Sequence, residues 1–433
     1  MADGHSKDTA AVQAAIDAAA AQGGTVRLAG GTFVCGTLYL KSNVALEITN
    51  STTLLASPDI ADYGTDTHHN RYRNEPELDR CFLFAQDAEN VTICGSGVID
   101  GNAAAFPNAG SIYRSMLLRV LRCRNVRVQN LRLLNAAAWA TAFLDSDFIW
   151  ATDLHIENHR NYNGDGLDFD GCRHVWVRGC YIDGTDDNLC LQSSGLPVQD
   201  VHISDCAFTS VCAGIRIGLK SIGEISGVVI SNCTMRNIWR EGIKLECTEG
   251  GSITDILVEN VTMHNVRRPI FAILNNRYRP DDLGSSVELD HIPPIGTMAR
   301  LRLVGITAVD DEGMAHAQRR FDNDIMGEPR FGGCRLDANA AHPIEDVTIR
   351  DFWYTAIGGV RLADLPAAPY PEVPDRLQAP TAPGSENYYP NWSRTTHLDA
   401  HYVRGLTLEN LHFITLHSDE RPKMLTEGPT VML

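Results

Sequence analysis

The sequence predicts an all-β chain wound as a parallel β-solenoid, and three observations carry that prediction. Similar segments recur at a spacing of roughly 20 to 25 residues, the signature of a repeat architecture; they include NVTICGSGVIDG, NVRVQNLRLLNA, HVWVRGCYIDG, DVHISDCAFTS, GVVISNCTMRN, DILVENVTMHNV, DVTIRDFWYTA and GLTLENLHFIT. Within each, β-branched and other apolar residues alternate with polar ones, which is the period of a half-buried strand. Between the short strands stands an Asn, Asp or Gly, the residues that tolerate sharp bends. A coil that bends back on itself and stacks on its copies pairs each strand with those above and below.

The elements follow in chain order. Residues 1–24 predict a cap. DTAAVQAAIDAAAAQGG reads as an amphipathic helix with Asp8 or Thr9 at its N-cap, Val12, Ile16 and Ala20 on the apolar side and glycine at its end, a cover for the open strand edge of the first coil. Residues 25–275 carry the regular coils. Residues 276–433 predict further coils broken by long loop insertions, among them a proline-rich stretch, LPAAPYPEVPDRLQAPTAPGSENYYPNW, after which strands resume at YVRGLTLENLHFITL. The whole, 1–433, is expected to be a single domain.

The formal charge of −17 sets the chain against nucleic acid and anionic membrane as partners. No run of about 18 apolar residues predicts a membrane-crossing helix. The start, MADGHSKDTAAVQ, has neither the basic region nor the apolar core of a secretory leader. The expectation is a cytoplasmic protein, or a secreted or periplasmic one whose leader has been removed. Most of the twelve cysteines sit singly inside strand patterns and no CxxC pair occurs, so they read as buried core thiols with no structural zinc site.

The segment NYNGDGLDFDGCRHVWVRGCYIDGTDDNLCLQSS, residues 161–194, concentrates acids among strand residues. Asp165 and Asp187 are 22 positions apart, about one coil, and neighbouring coils stack at roughly 4.8 Å. Asp165, Asp186 and Asp187 are therefore expected on one face, where like charges push at least one carboxyl toward a neutral form able to act as an acid. Asp170, Asp183, Asp205 and Asp255 are read as bends, with Asp168 as a support behind the site.

In these residues the chain resembles glycoside hydrolase family 28, the polygalacturonase-like right-handed parallel β-helices of pectin-lyase-like architecture. The opening DTAAVQAAIDAAAAQGGTVRLAGGTFVCGTLYLKSNVALEI is similar to the family's cap and first coils. The family's NTDG motif stands here as Asn163-Gly164-Asp165-Gly166 and its GDD motif as Thr185-Asp186-Asp187. The GHG element falls at Cys212-Ala213-Gly214, without its histidine, and the RIK element at Gly242-Ile243-Lys244, without its arginine.

The resemblance implies an inverting glycoside hydrolase acting on a carbohydrate, with Asp186 as general acid and Asp165 and Asp187 as the bases that activate water. Lys244 then binds the sugar at the cleaved linkage and Asn163 orients a neighbouring carboxylate or water, with no cofactor and no metal demanded. Arg216 and Arg240 are expected to supply the positive charge the family places elsewhere, and Trp239 to stack on a sugar face. The absent histidine and arginine point toward a neutral or mixed glycan, and the long insertions toward action at chain ends.

Two alternatives stay open. A polysaccharide lyase would read the acids as a calcium site, and a non-catalytic carbohydrate-binding β-helix would need no acid at all. His155 and His159 have metal-ligand spacing but sit in a strand pattern. His68, His69, Arg71 and Arg73 are read as a solvated loop.

Overall fold

The computed structural model describes residues 1–67, 78–107, 114–277, 293–311, 332–365 and 393–428. His68, His69, Arg71 and Arg73, and most of the proline-rich stretch, lie outside the described residues.

Among these, strands pair in parallel with the strand one coil away, as the repeat predicts. The chain divides into two compact units, Met1–Cys190 with Val198–Ala207, and Leu191–Pro197 with Phe208–Leu433. In the first, short strands form three stacks. One contains Cys81–Gln86, Met116–Leu121, Thr141–Leu144 and Leu167–Asp170. A second runs through Val44–Ile48, Glu89–Gly95, Arg124–Gln129, Asp147–Thr152, Arg173–Arg178 and Val198–Ser204. The third holds Val98–Asp100, Arg132–Leu134, His155–Asn158 and Tyr181–Gly184.

Register puts like residues on like. Val91, Val126, Ile149, Val175 and Val201 form one inward column, each at most 1% exposed. Truncating any of them to alanine removes methyl groups from a packed column and costs about 2 to 4 kcal/mol.

The corners explain the recurring asparagines. Asn90, Asn125 and Asp200 turn the chain at φ of 57°, 56° and 55°, a left-handed conformation that Asn and Asp tolerate better than other side chains. The amides also stack: Asn90 Nδ2 donates to Asn43 Oδ1 at 2.7 Å and Asn125 Nδ2 to Asn90 Oδ1 at 2.6 Å. Phe148 and His174 occupy the same corner at φ 57° and 52°; their rings stack at 4.4 Å. Asp205 and Asp255, read as bends, have φ of 56° and 58°, whereas Asp170 and Asp183 lie within strands.

The cap helix, Thr9–Ala20, buries Val12 and Ile16. Asp8 sits at its N-cap, but its side chain caps no helix amide; it pairs with the Met1 amino group and accepts from Ala2 N. The cap also contains an unpredicted strand, Asp3–Lys7, which pairs with Gly31–Cys35. In the second unit the strands lengthen and run through their corners, as in Ser252–Leu274, Thr297–Val309, Ile344–Gly358 and Val403–His417. All twelve cysteines are free, and all but Cys94 are buried.

Candidate active site

In the first unit, the Asn163-Gly164-Asp165-Gly166 motif is tied directly to Thr185-Asp186-Asp187 and its neighbour Asn188. Gly164 N donates to Thr185 Oγ1 at 3.1 Å and Thr185 N to Gly164 O at 3.3 Å. One step on, Gly166 N donates to Asp187 O at 3.2 Å and Leu167 N to Asn188 O at 2.9 Å. This closeness is why glycine is needed. A Cβ on Gly164 would meet Thr185 Oγ1 at 2.3 Å, and one on Gly166 would meet Asn188 O at 2.3 Å.

The lacing carries Asp165, Asp186 and Asp187 on adjacent coils. Asp165 is 3% exposed and Asp187 fully buried, while Asp186 is half-buried and accepts from the Asp187 amide at 3.0 Å. Asp165 O accepts from Ala140 N at 2.9 Å and from Asn158 Nδ2 at 3.1 Å. Thr185 Oγ1 in turn donates to Asn161 O at 2.6 Å. Asn163 turns at φ 56° and its Oδ1 accepts from Arg114.

Asp168, the expected support, brings a carboxylate to this face. Ligand atoms of Asp165, Asp168 and Cys190 lie within 4.8 Å of one another. This set is one donor short of a four-ligand zinc site and carries a soft thiol that hard calcium disfavours. His155 and His159 are not joined in a metal site: His155 Nε2 lies 2.6 Å from Glu157 and His159 Nε2 3.2 Å from Asp183.

The second unit gathers the other named residues. Arg216 and Lys244 are register partners on adjacent strands. Lys244 is fully buried, its Nζ 3.5 Å from Glu246 Oε2 and 3.7 Å from Glu241 Oε2, and it makes no hydrogen bond among the described residues. Arg216 Nε donates to Glu246 Oε2 at 2.9 Å. Arg240 Nε and Arg268 Nη1 flank Glu241 at 3.5 and 3.2 Å.

Burial alone would raise the Glu241 pKa, but Arg240, Lys244, Arg268 and Arg267 outweigh it and hold the carboxyl at about 2. For Lys244, burial and Arg240 oppose the charge; Glu246 and Glu241 prevail, and its pKa stands above the ordinary lysine value. Arg240 also adjoins the coil position where the resemblance expects a histidine: its Nη1 lies 3.6 Å from Cys212 Sγ. Trp239 is 8% exposed, and its indole N–H makes no hydrogen bond among the described residues.

Sequence reasoning missed Arg267 and Arg268, which sit in a strand pattern next to proline, and Arg114, whose partners lie 48 and 49 residues away. Trp150 and Trp176 are register partners on adjacent coils. Their rings stack on each other at 5.0 Å, with Arg127 over Trp150 at 3.9 Å, so the facing ring surfaces are already covered.

The profile of Glycosyl hydrolases family 28 matches residues 35–288. Among curated proteins, an exo-poly-alpha-D-galacturonosidase of Dickeya chrysanthemi is 24% identical over 238 residues, 43% of this chain and 39% of that one. A probable polygalacturonase of Vitis vinifera is 26% identical over 259 residues, 53% and 51% of the respective chains. The chain thus matches about half or less of the length of these relatives. A hyperthermoactive exopolygalacturonase from Thermotoga maritima superposes with a TM-score of 0.68 at 18% identity, covering 96% of this chain and 89% of that one. A polygalacturonase from Erwinia carotovora gives 0.63 at 20%, covering 81% and 90%. These two structural likenesses establish the parallel β-helix fold.

Proposed function

Since the chain belongs to glycosyl hydrolases family 28, we propose that it is an inverting glycoside hydrolase that cleaves a pectin-related, uronic-acid-bearing glycan. The observation that carries this reading is the lacing of Gly164 to Thr185 and of Gly166 to Asp187, which sets three carboxylates on neighbouring coils. Asp186, the least buried of the three, is the general acid that protonates the leaving oxygen. Asp165 and Asp187 hold and deprotonate the water that attacks from the opposite side of the ring, a division of labour that suits an inverting centre.

The buried cations favour an anionic sugar over the neutral glycan that the damaged motifs pointed to. Arg216, Arg240, Lys244 and Arg268 are buried and lie against Glu241 and Glu246. Guanidinium and ammonium groups gathered in one place supply the charge and the donors that a substrate carboxylate takes. Lys244 and Arg216 are proposed to bind that carboxylate, with Arg240 beside Cys212 in place of the absent histidine. Asn163 and Trp239 complete the proposed binding set, Asn163 as the holder of the motif and Trp239 through its indole N–H.

The relatives named for exo-action support cleavage at chain ends. Twelve free thiols fit a reducing compartment and support intracellular processing of oligomers. Among the described residues no helix is long and apolar enough to cross a membrane.

The test is an assay on polygalacturonate and its oligomers. Reducing ends should appear without an ultraviolet-absorbing unsaturated product and without sensitivity to chelator. An unsaturated product lost on chelation would establish a lyase, and binding with no cleavage by fresh protein would leave a carbohydrate-binding solenoid.

A further inference from the structure

We propose that Arg114 is a positioning residue for the reaction: its guanidinium holds the Asn163-Gly164-Asp165 segment in the conformation that presents Asp165. The proposal rests on the hydrolase reading for its kinetic consequence, though not for its structural one.

The geometry is specific. Arg114 has no exposed surface and precedes the strand Met116–Leu121, well before the motif in sequence. Its Nη1 donates to Tyr162 O at 2.6 Å and to Ala137 O at 3.3 Å, and its Nη2 to Asn163 Oδ1 at 2.7 Å. One planar fork thus binds two successive residues at the head of the motif, together with a carbonyl of the intervening coil. Such charge-assisted bonds are about twice as strong as neutral ones, and their fixed geometry is what a guanidinium adds over an ammonium.

What they hold is a left-handed turn. Asn163 sits at φ 56°, and on its far side Gly164 is already pinned to Thr185. Anchored at Tyr162 and Asn163 from one direction and at Gly164 from the other, the segment has little freedom to shift Asp165. A displacement of about 1 Å at a reacting group costs up to roughly a hundredfold in rate.

The test uses the full chain with Arg114→Lys, Asn163→Gly and the double variant. Glycine adopts the left-handed turn without the side chain that Arg114 grips. Arg114→Lys should lower kcat by about tenfold to a hundredfold, with KM changed less than about threefold. In the Asn163→Gly background the same change should cost markedly less, because the shared bond is already gone. Hydrogen exchange should show faster amide exchange for residues 161–166 in Arg114→Lys, with the strand Arg124–Gln129 unaltered.

Wild-type kcat in Arg114→Lys, or independent multiplication of the two effects, would overturn the proposal. So would unchanged exchange at 161–166, a result readable even if no glycan is cleaved. Absence of cleavage by the wild type would instead remove the hydrolase reading and leave the exchange result to decide the role of Arg114.

Discussion

The two units use the same coil for opposite electrostatic purposes. In the first, Asp165, Asp168, Asp170 and Asp187, all buried, lie on or beside the strands Leu167–Asp170 and Leu189–Ser193, and Arg114 spends its described bonds on two main-chain carbonyls and an amide oxygen. In the second, adjacent strands carry Arg216 and Lys244 as register partners, with Arg240 and Arg268 around Glu241. Inward columns in both are plain aliphatic packing. The difference teaches that one coil architecture, held by aliphatic columns, can carry buried acids in one unit and buried cations in the other.

The sharpest way to break the contrast is to neutralise the acid side. Asp186→Asn should lower kcat on polygalacturonate by about a hundredfold to ten-thousandfold, with the melting temperature little changed because this carboxylate is only half-buried. An unchanged rate would remove Asp186 from the reaction.

The cationic side has a different expected signature. Lys244→Met should raise KM for a uronide by about tenfold or more, the scale of a lost charged contact, and should do so less for a methyl-esterified substrate than for the free acid. Equal effects on both substrates would show that the ammonium serves the fold and not the ligand. Next comes the lacing itself: Gly164→Ala forces a Cβ to 2.3 Å from Thr185 Oγ1 and should cost about 1 to 3 kcal/mol by thermal unfolding, along with much of the activity. Full activity in that variant would show that the two motifs tolerate separation.

A further contrast concerns pH. Asp310 is buried, which raises its pKa from 3.8 to about 8; its carboxyl meets Tyr354 Oη at 3.1 Å. A raised acid is protonated when folded and ionised when unfolded across that window. Its stabilising contribution is therefore complete below about 3.8, falls as pH rises toward 8 and is gone above. Asp310→Asn should gain melting temperature relative to the wild type as pH increases through this range.

His397 shows the reverse sign, lowered from 6.5 to about 4 by burial. Its contribution holds above about 6.5 and is lost as pH falls toward 4. The smallest effect is chemical: with Cys94 alone half-buried among the cysteines, it should be the first to react with a thiol reagent in native protein.

Much of this was legible in the sequence where the signal is local. Alternation and corner asparagines gave the coils, because period two and left-handed turns leave marks within a few residues. The acid motifs were legible for the same reason, as Asp165 and Asp187 lie about one coil apart. Lys244, Arg216 and Arg240 were named individually, but their grouping around Glu241 and Glu246 depends on register between strands. Arg114 was invisible, since nothing near it in sequence marks a contact 49 residues on. The strand Asp3–Lys7 was missed because DGHSK offers no apolar alternation to read. In the second unit, segments read as pairs of short strands proved continuous because the chain stays extended through the corner, as in Ser252–Leu274.

The asparagine spine has a consequence for chemical ageing. Each amide from Asn90 and Asn125 donates to the residue one coil before it, so conversion of Asn125 to a carboxylate would bring two oxygens face to face at Asn90 and open that corner. The same lesion at Asn90 would lose one donor yet strengthen the bond it receives from Asn125. A lesion at Asn125 should therefore loosen the spine more than one at Asn90, an order that thermal unfolding of Asn125→Asp and Asn90→Asp would check.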